Sequence, residues 1–524
     1  MRTQISLRQG FQSNILYIED TTKRITDYLM KIMKKLTDRT VSVRVITYIL
    51  LAALLISLVL LLRLGLYTNP WGDDYEYAKY TKSFQEAYGR GLYNALRGAH
   101  YQAVQSWYCW QGTFSSIFLM AFAPLGFGEQ YYFIGSFILI ISLTCGSIVL
   151  NLTVTRRIFG FDKDASLCFS LAMTILMVWR IYNPNEGFYW YNGGLHYVGM
   201  HSVMMLFVAV SICIMSSCKP ITIVLSVIAA TFLAVVCSGA NYVTALQGIL
   251  ILLLLVIIGV AKYKKKALLY VPVLVMYIVG LRMSITAQGN VARASYFVGE
   301  SMSPIRAILT SFPEAAKHLW EFTGVFTIVF MIAMVPVIWK GVESATCKFR
   351  FPGIFIVLGF CFYATSYTAS LYGMGRADLD RMLNVAQLTF QFVLILSEVY
   401  FIGWLKGRLS IAKSNIGYLW LYVASVAVLA VSFVASKEER FRYTPYGAYY
   451  YVHTGEAAAY HDGYLRRIES IKEQGPDARV VPNIFKPAYI CTGELSEDPA
   501  TEVNTFMANW YGKNSLAIVD EKVD

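Results

Sequence analysis

Between positions 43 and 435 the chain is a near-continuous succession of apolar runs, each about 18 to 22 residues long. That is the length a helix needs to cross about 30 Å of hydrocarbon. A water-soluble domain interrupts such runs with charge to cover its surface, whereas a chain solvated by lipid is free to be apolar on its inner and outer faces alike. Composition agrees: 56% of the 524 residues are hydrophobic, 15% are charged, and the mean hydropathy is +0.49. The fold class expected is an all-α polytopic membrane protein.

The net charge of +12 would in another chain point to nucleic acid. Here the Lys and Arg residues sit in short loops between apolar runs, the distribution that orients a membrane protein, so no nucleic-acid partner is expected. Nine cysteines are scattered, most of them inside apolar runs, as at Cys145, Cys168, Cys213, Cys237 and Cys361. Their spacing supports neither a zinc site nor a disulfide framework.

Lys23, Arg24, Lys31, Lys34, Lys35, Arg39 and Arg44 precede the first run, which places residues 1–42 in the cytoplasm by the positive-inside rule. The first run starts too late for a cleavable signal peptide and is read as a retained span, 43–66. Thr113 to Phe127 is short and broken by Pro124 and Gly126, so it reads as a re-entrant or interfacial helix. The remaining crossings fall near 131–153, 164–181, 198–216, 220–237, 243–262, 266–286, 322–340, 352–374, 384–404 and 416–435, eleven with the first. Under that count Arg156/Arg157, Lys219, Lys262 to Lys266, Lys340/Lys348/Arg350 and Lys406/Arg408/Lys413 all fall inside. The transmembrane domain, 43–435, then carries an outer loop at 67–130. Further outer segments are 182–197, 238–242, 287–321 and 375–383. Residues 436–524 form a small extracytoplasmic C-terminal α/β segment, helical near Glu456 to Gln474 and β-like at Ala478 to Val481. The localisation expected is a bacterial plasma membrane, multi-pass, with the N-terminus cytoplasmic and the C-terminus extracytoplasmic.

Polar groups at a membrane boundary are costly, which makes those in the outer loops candidates for function. Asn69-Pro-Trp-Gly-Asp-Asp-Tyr75 places two carboxylates, Asp73 and Asp74, beside Trp71 and Tyr75. Two readings fit: a helix cap in a solvated loop, or a carboxylate made basic by desolvation that takes a proton from a hydroxyl. Trp190-Tyr-Asn-Gly-Gly-Leu-His-Tyr197 follows Tyr182, Asn183, Glu186 and Tyr189. It suits a sugar, with rings for stacking and amides for hydroxyls, and the rival is an interfacial aromatic belt. Gln288-Gly-Asn-Val-Ala-Arg293 follows Arg282, and Gly375-Arg-Ala-Asp-Leu-Asp-Arg381 carries Arg376 and Arg381. A guanidinium binds phosphate oxygens in pairs, while Glu300, Asp378 and Asp380 are rival salt-bridge partners. Arg90, Arg97 and His100 fit an amphipathic outer helix, and Glu398 lies deep in a span.

Together these elements resemble bacterial GT-C-type membrane glycosyltransferases, in particular a large, poorly characterised family with an acidic pair, an aromatic Tyr-Trp-x-x-Gly-x-x-x-Tyr element and a Pro-Gly-Asn-x-x-Arg element. Asp73 and Asp74 match the acidic pair; Tyr189, Trp190, Gly193 and Tyr197 match the aromatic element; Gly289, Asn290 and Arg293 match the last. Gln288 replaces the usual Pro, Gln111-Gly112 stands where relatives often have Gly-Arg, and Asn241 stands where an acidic residue is common. The resemblance implies a GT-C-like helix arrangement and transfer of a sugar from a polyprenyl-phosphate donor to a glycan or lipid-linked acceptor on the outer face, with inversion. It implies Asp73, ahead of Asp74, as general base, and a donor phosphate held by Arg293 and Asn290 with Arg282, Arg376 and Arg381. Trp71, Tyr75, Tyr189, Trp190, Tyr191, Asn192, His196 and Tyr197 are then the sugar- and acceptor-binding candidates. A divalent cation is a possible cofactor, and membrane lipid a partner. The alternatives are a polysaccharide polymerase and a lipid-linked-saccharide transporter or flippase, the latter expected to show inverted repeats and midplane polar sites.

Overall fold

The computed structural model describes residues 41–296, 301–408 and 418–519. Most of the N-terminal segment and Glu300 therefore lie outside the described residues. Nine helical stretches among the described residues are long and apolar enough to cross a membrane. The chain is a multi-pass membrane protein.

The first long helix is α1 (Val43–Gly65), followed by three shorter ones, α2 (Asp73–Tyr88), α3 (Leu92–Cys109) and α4 (Phe114–Ala121). Then come α5 (Phe133–Thr153), α6 (Lys163–Trp179), α7 (Met200–Ser216), α8 (Pro220–Ser238), α9 (Tyr242–Tyr263), α10 (Val271–Ile285) and the short α11 (Gly289–Tyr296). The bundle ends with α12 (Pro304–Glu343), α13 (Pro352–Met374), α14 (Asp380–Arg408) and α15 (Tyr418–Ala435). The C-terminal segment holds α16 (Lys437–Phe441), α17 (Thr444–His453), α18 (Glu456–Glu473), β1 (Asp477–Val480), α19 (Glu502–Trp510) and β2 (Ser515–Ile518).

Each of the eleven apolar runs in the sequence carries a helix, but not every one is an independent long apolar stretch. The 44 residues Tyr242–Ile285 form one continuous helical stretch. They divide into α9 and α10 at the Lys264–Tyr270 3₁₀ segment, where Lys264 takes a φ of 49°. Helix α6 has 17 residues, about 26 Å at 1.5 Å per residue. It is buried along most of its length, so neighbouring helices rather than lipid surround it. The segment 287–321, expected as a loop, contains α11 and the first half of α12, which bends at Gly324 (φ 51°).

The innermost stretch is Tyr191–Ser216, with 78% of its most apolar window buried, against 0% for Tyr418–Ala435. Helices at the rim turn large apolar side chains outward, as at Val59, Phe232, Ile257 and Val434. In water such a surface would drive association, and in a bilayer it is the solvated face.

The C-terminal segment is docked on the bundle rather than set apart from it. Helix α17 packs along α1, and Tyr489 lies against Tyr189 with ring centroids 6.5 Å apart. Arg180, at the end of α6, donates to Glu439 at 2.8 Å in a largely buried ion pair. Strands β1 and β2 pair in parallel over four residues, Asp477 opposite Ser515.

Candidate active site

Gly72 opens α2 with a φ of 51°, a left-handed turn that glycine adopts without Cβ strain. It points the two carboxylates that follow in different directions. Asp74 turns inward and is 1% exposed. Its Oδ2 accepts from the Trp71 backbone N–H at 2.9 Å and from the Tyr132 hydroxyl at 2.6 Å, and its Oδ1 accepts from the Asn192 N–H at 3.1 Å. The bond back to Trp71 caps the helix start. The other two fasten the aromatic loop and the start of α5 to α2. Burial raises the Asp74 carboxyl to about 7, against the three donated hydrogen bonds that favour its ionised form.

Asp73 turns the other way. It is accessible to solvent and makes no hydrogen bond or ion pair among the described residues. Its carboxyl nonetheless sits in a recess walled by protein, and this desolvation holds it above the ordinary carboxylate value of 3.8. Arg381 and Arg293 pull it down, while Glu502 and Glu76 push it up. Asp73 is therefore within electrostatic reach of two guanidiniums, one from α11 and one from the first turn of α14.

Those guanidiniums rest on rings. Arg293 lies 5.6 Å from the Trp110 centroid and reaches Met374 Sδ at 3.9 Å. Arg381 lies 5.6 Å from the Trp190 centroid, with Glu186 Oε1 at 3.8 Å. His196 is within electrostatic reach of both and contacts Ser116 Oγ through Nδ1 at 3.0 Å. Tyr77, one turn along α2 from Asp73, feels Asp73, Arg293 and Arg381 together.

The other candidates divide by what they touch. Asn290 uses its whole amide on the protein: Oδ1 accepts from Gly112 N–H (3.0 Å) and Tyr242 (2.8 Å), and Nδ2 donates to the Ser284 and Ile285 carbonyls (both 2.9 Å). It clamps the 284–290 turn to Gln111-Gly112, where backbones run so close that a Cβ on Gly112 would collide with the Ser284 carbonyl. Gly112→Ala is accordingly expected to cost about 1–3 kcal/mol, read as a lower melting temperature in detergent; an unchanged melting temperature would contradict this packing. Arg376 is held by Asp378 through two bonds of 2.7 and 3.0 Å on the exposed surface. Arg282 is exposed beside Met283, whose carbonyl accepts from Trp107 at 3.1 Å.

Among the aromatics, Trp190 lines the recess under Arg381 and donates to the Trp71 carbonyl at 3.3 Å. Tyr189 and Tyr191 are buried anchors, donating to the Leu61 and Leu119 carbonyls. Tyr75 points away, its hydroxyl 2.8 Å from that of Tyr464. Trp71 packs on Gly493, and Tyr197 is buried with α12, α13 and α14 side chains. The Asn192 side chain is buried beside Asp74 with neither its oxygen nor its nitrogen bonded to protein.

Sequence reasoning missed Tyr132, Tyr77 and Trp110, while Glu186, noted beside the aromatic loop, had no role assigned to it. Only Tyr77 carried a signal, its helical register with Asp73. No group of three or more His, Cys, Asp or Glu able to hold a metal ion occurs among the described residues. On the flank of the bundle, Trp107, Phe114, Phe118, Phe232, Val236 and Met283 line an almost wholly apolar groove of about 580 Å³. Its lining includes Trp107 and Tyr108 in the last turn of α3, which ends just before Trp110, the ring under Arg293.

No family model and no curated protein matches this chain. Among solved structures, it is similar to the crystal structure of ArnT from Cupriavidus metallidurans bound to undecaprenyl phosphate, at 15% identity over 90% of this chain and 89% of that one, with a TM-score of 0.40.

Proposed function

We propose that the chain is a GT-C-type membrane glycosyltransferase that moves a sugar from a polyprenyl-phosphate donor to an acceptor hydroxyl at this recess. The observation that carries the reading is an accessible, unpaired carboxylate, Asp73, facing Arg293 and Arg381 in one recess. Neither guanidinium is consumed by a tight carboxylate pair: Arg293 has none among the described residues, and Arg381 reaches Glu186 only at 3.8 Å.

Asp73 accepts the proton of the acceptor hydroxyl as its oxygen bonds to the anomeric carbon. The bond from that carbon to the phosphate oxygen breaks, and the polyprenyl phosphate leaves with its charge against Arg293 and Arg381. Attack from the Asp73 side opposite the phosphate inverts the anomeric centre. Trp190 offers a ring for the sugar, and the apolar groove along α3 matches an isoprenoid tail. The positive-inside charge distribution supports an outer-leaflet position for the recess. The positive charge of the recess comes from the guanidiniums of Arg293 and Arg381.

The test is reconstitution in vesicles with a polyprenyl-phosphate-sugar extract of the cells that make the protein, following release of polyprenyl phosphate by mass spectrometry. Absence of release under any acceptor condition would sink the reading.

The acidity of Asp73 supplies a second test. A base works only when ionised, so kcat/KM is expected to fall as pH drops through the raised Asp73 value. Arg381 is the charge that lowers that value most, so Arg381→Gln is expected to move the acid limb to higher pH as well as reduce the rate. A limb left in place by this variant would remove Asp73 as the titrating group.

A further inference from the structure

Helices α2 and α19 run side by side from the recess outward. Glu502, at the start of α19, acts on Asp73, at the start of α2, and Trp510, at the end of α19, takes Lys82 over its ring at 4.4 Å. From Asp73 to Lys82 the wall extends about 14 Å at 1.5 Å per residue. Between the helices lies a cleft of about 730 Å³, whose lining starts on α2 at Tyr75, two residues beyond Asp73, and on α19 at Phe506, one turn beyond Glu502. That size is within the about 300–1,000 Å³ usual for ligand sites.

The lining of this cleft contrasts with that of the apolar groove. It contains no aliphatic side chain: rings (Tyr80, Phe506, Tyr511) alternate with Lys, Glu, Ser and Asn. Lys79, Lys82 and Lys472 each lie over a ring, Tyr80, Trp510 and Tyr511 respectively. The cleft continues past Lys82 and Trp510 into a smaller hollow of about 340 Å³ that reaches Arg90 and Gln130. Rings alternating with charged and amide groups fit a polyhydroxylated chain, whose apolar ring faces stack and whose hydroxyls bond. A lipid tail would find no aliphatic wall here.

We propose that this cleft is the acceptor site, and that the acceptor is an extended glycan whose growing end reaches Asp73 while several preceding sugars lie between α2 and α19. The inference rests on the glycosyltransferase reading and names the substrate class that reading leaves open. It also gives the C-terminal segment a role, since α19 supplies one wall.

The test fills the cleft without touching the recess. Ser83 and Asn509 are exposed on opposite walls, so Ser83→Trp and Asn509→Trp add bulk at little risk to folding. Glu473→Trp, exposed on α18 outside the lining, is the control. The substrates are the polyprenyl-phosphate-sugar extract and the soluble envelope glycan of the cells that make the protein. Both plugged variants are expected to lose about tenfold or more in transfer to the glycan, through a raised acceptor KM, while release of polyprenyl phosphate to water stays at the unmodified rate. The control is expected to behave as the unmodified protein. Glycan transfer within about twofold of unmodified in both plugged variants would overturn the cleft assignment and leave the glycosyltransferase reading standing. Loss of donor cleavage in the unmodified protein would instead remove the glycosyltransferase reading, and this proposal with it.

Discussion

Asp73→Asn is expected to lower sugar transfer by about 10²- to 10⁴-fold, the contribution of a positioned general base. The amide keeps the shape and the accessible position but has no basic oxygen pair to take a proton. The folded amount should be unchanged, because Asp73 makes no hydrogen bond or ion pair among the described residues, and the change removes a desolvated charge. The measurement is single-turnover transfer in vesicles, normalised to monodisperse protein in size-exclusion chromatography. Transfer within about tenfold of the unmodified enzyme would exclude Asp73 as the base.

Its neighbour should fail for the opposite reason. Asp74→Ala leaves three buried donors, Trp71 N–H, Asn192 N–H and the Tyr132 hydroxyl, without their acceptor. Each orphaned donor costs about 1–3 kcal/mol, a large share of the about 5–15 kcal/mol that typically holds a fold together. The expected outcome is loss of folded protein from the membrane and a large fall in melting temperature, with Asp74→Asn less severe because one amide oxygen still accepts. A normal melting temperature for Asp74→Ala would mean that Asp74 does not fasten the aromatic loop.

Asp74 also carries a pH dependence of stability. Its folded value of about 7 lies above its ordinary 3.8, so protonation accompanies folding. The stability linked to it is fully present below about pH 4 and is lost as pH rises through 7. In Asp74→Asn this part of the pH dependence should vanish.

The two carboxylates show why part of the site was readable in advance and part was not. An acidic pair behind Pro-Trp-Gly announces a helix start, and in sequence a cap and a desolvated base were both open to the pair. Which does which depends on Tyr132 and Asn192, 58 and 118 residues away in sequence. The four outer arginines looked alike in sequence. Arg376 is held by Asp378, two positions on, a local pairing that spacing already offered. Arg293 and Arg381 instead reach the recess through rings, Trp110 and Trp190, that nothing local assigns to them. Asn290 carried the motif position of a ligand contact and is spent on holding the backbone.

By itself the sequence determined the membrane class, the positions of the long helices and the outline of the C-terminal segment, with a helix expected at 456–474 and found at Glu456–Glu473, and a strand expected at 478–481 and found at Asp477–Val480. Apolar run length, helical register and turn residues are local quantities, so they survive without knowledge of partners. Tertiary structure alone decided that the interrupted stretch ahead of Gly324 is helical, that the C-terminal segment packs on α1 and α2, and that Asp73 comes within electrostatic reach of Arg293 and Arg381. Those outcomes depend on desolvation and on charges brought together from distant segments, and neither is a property of any one stretch of chain.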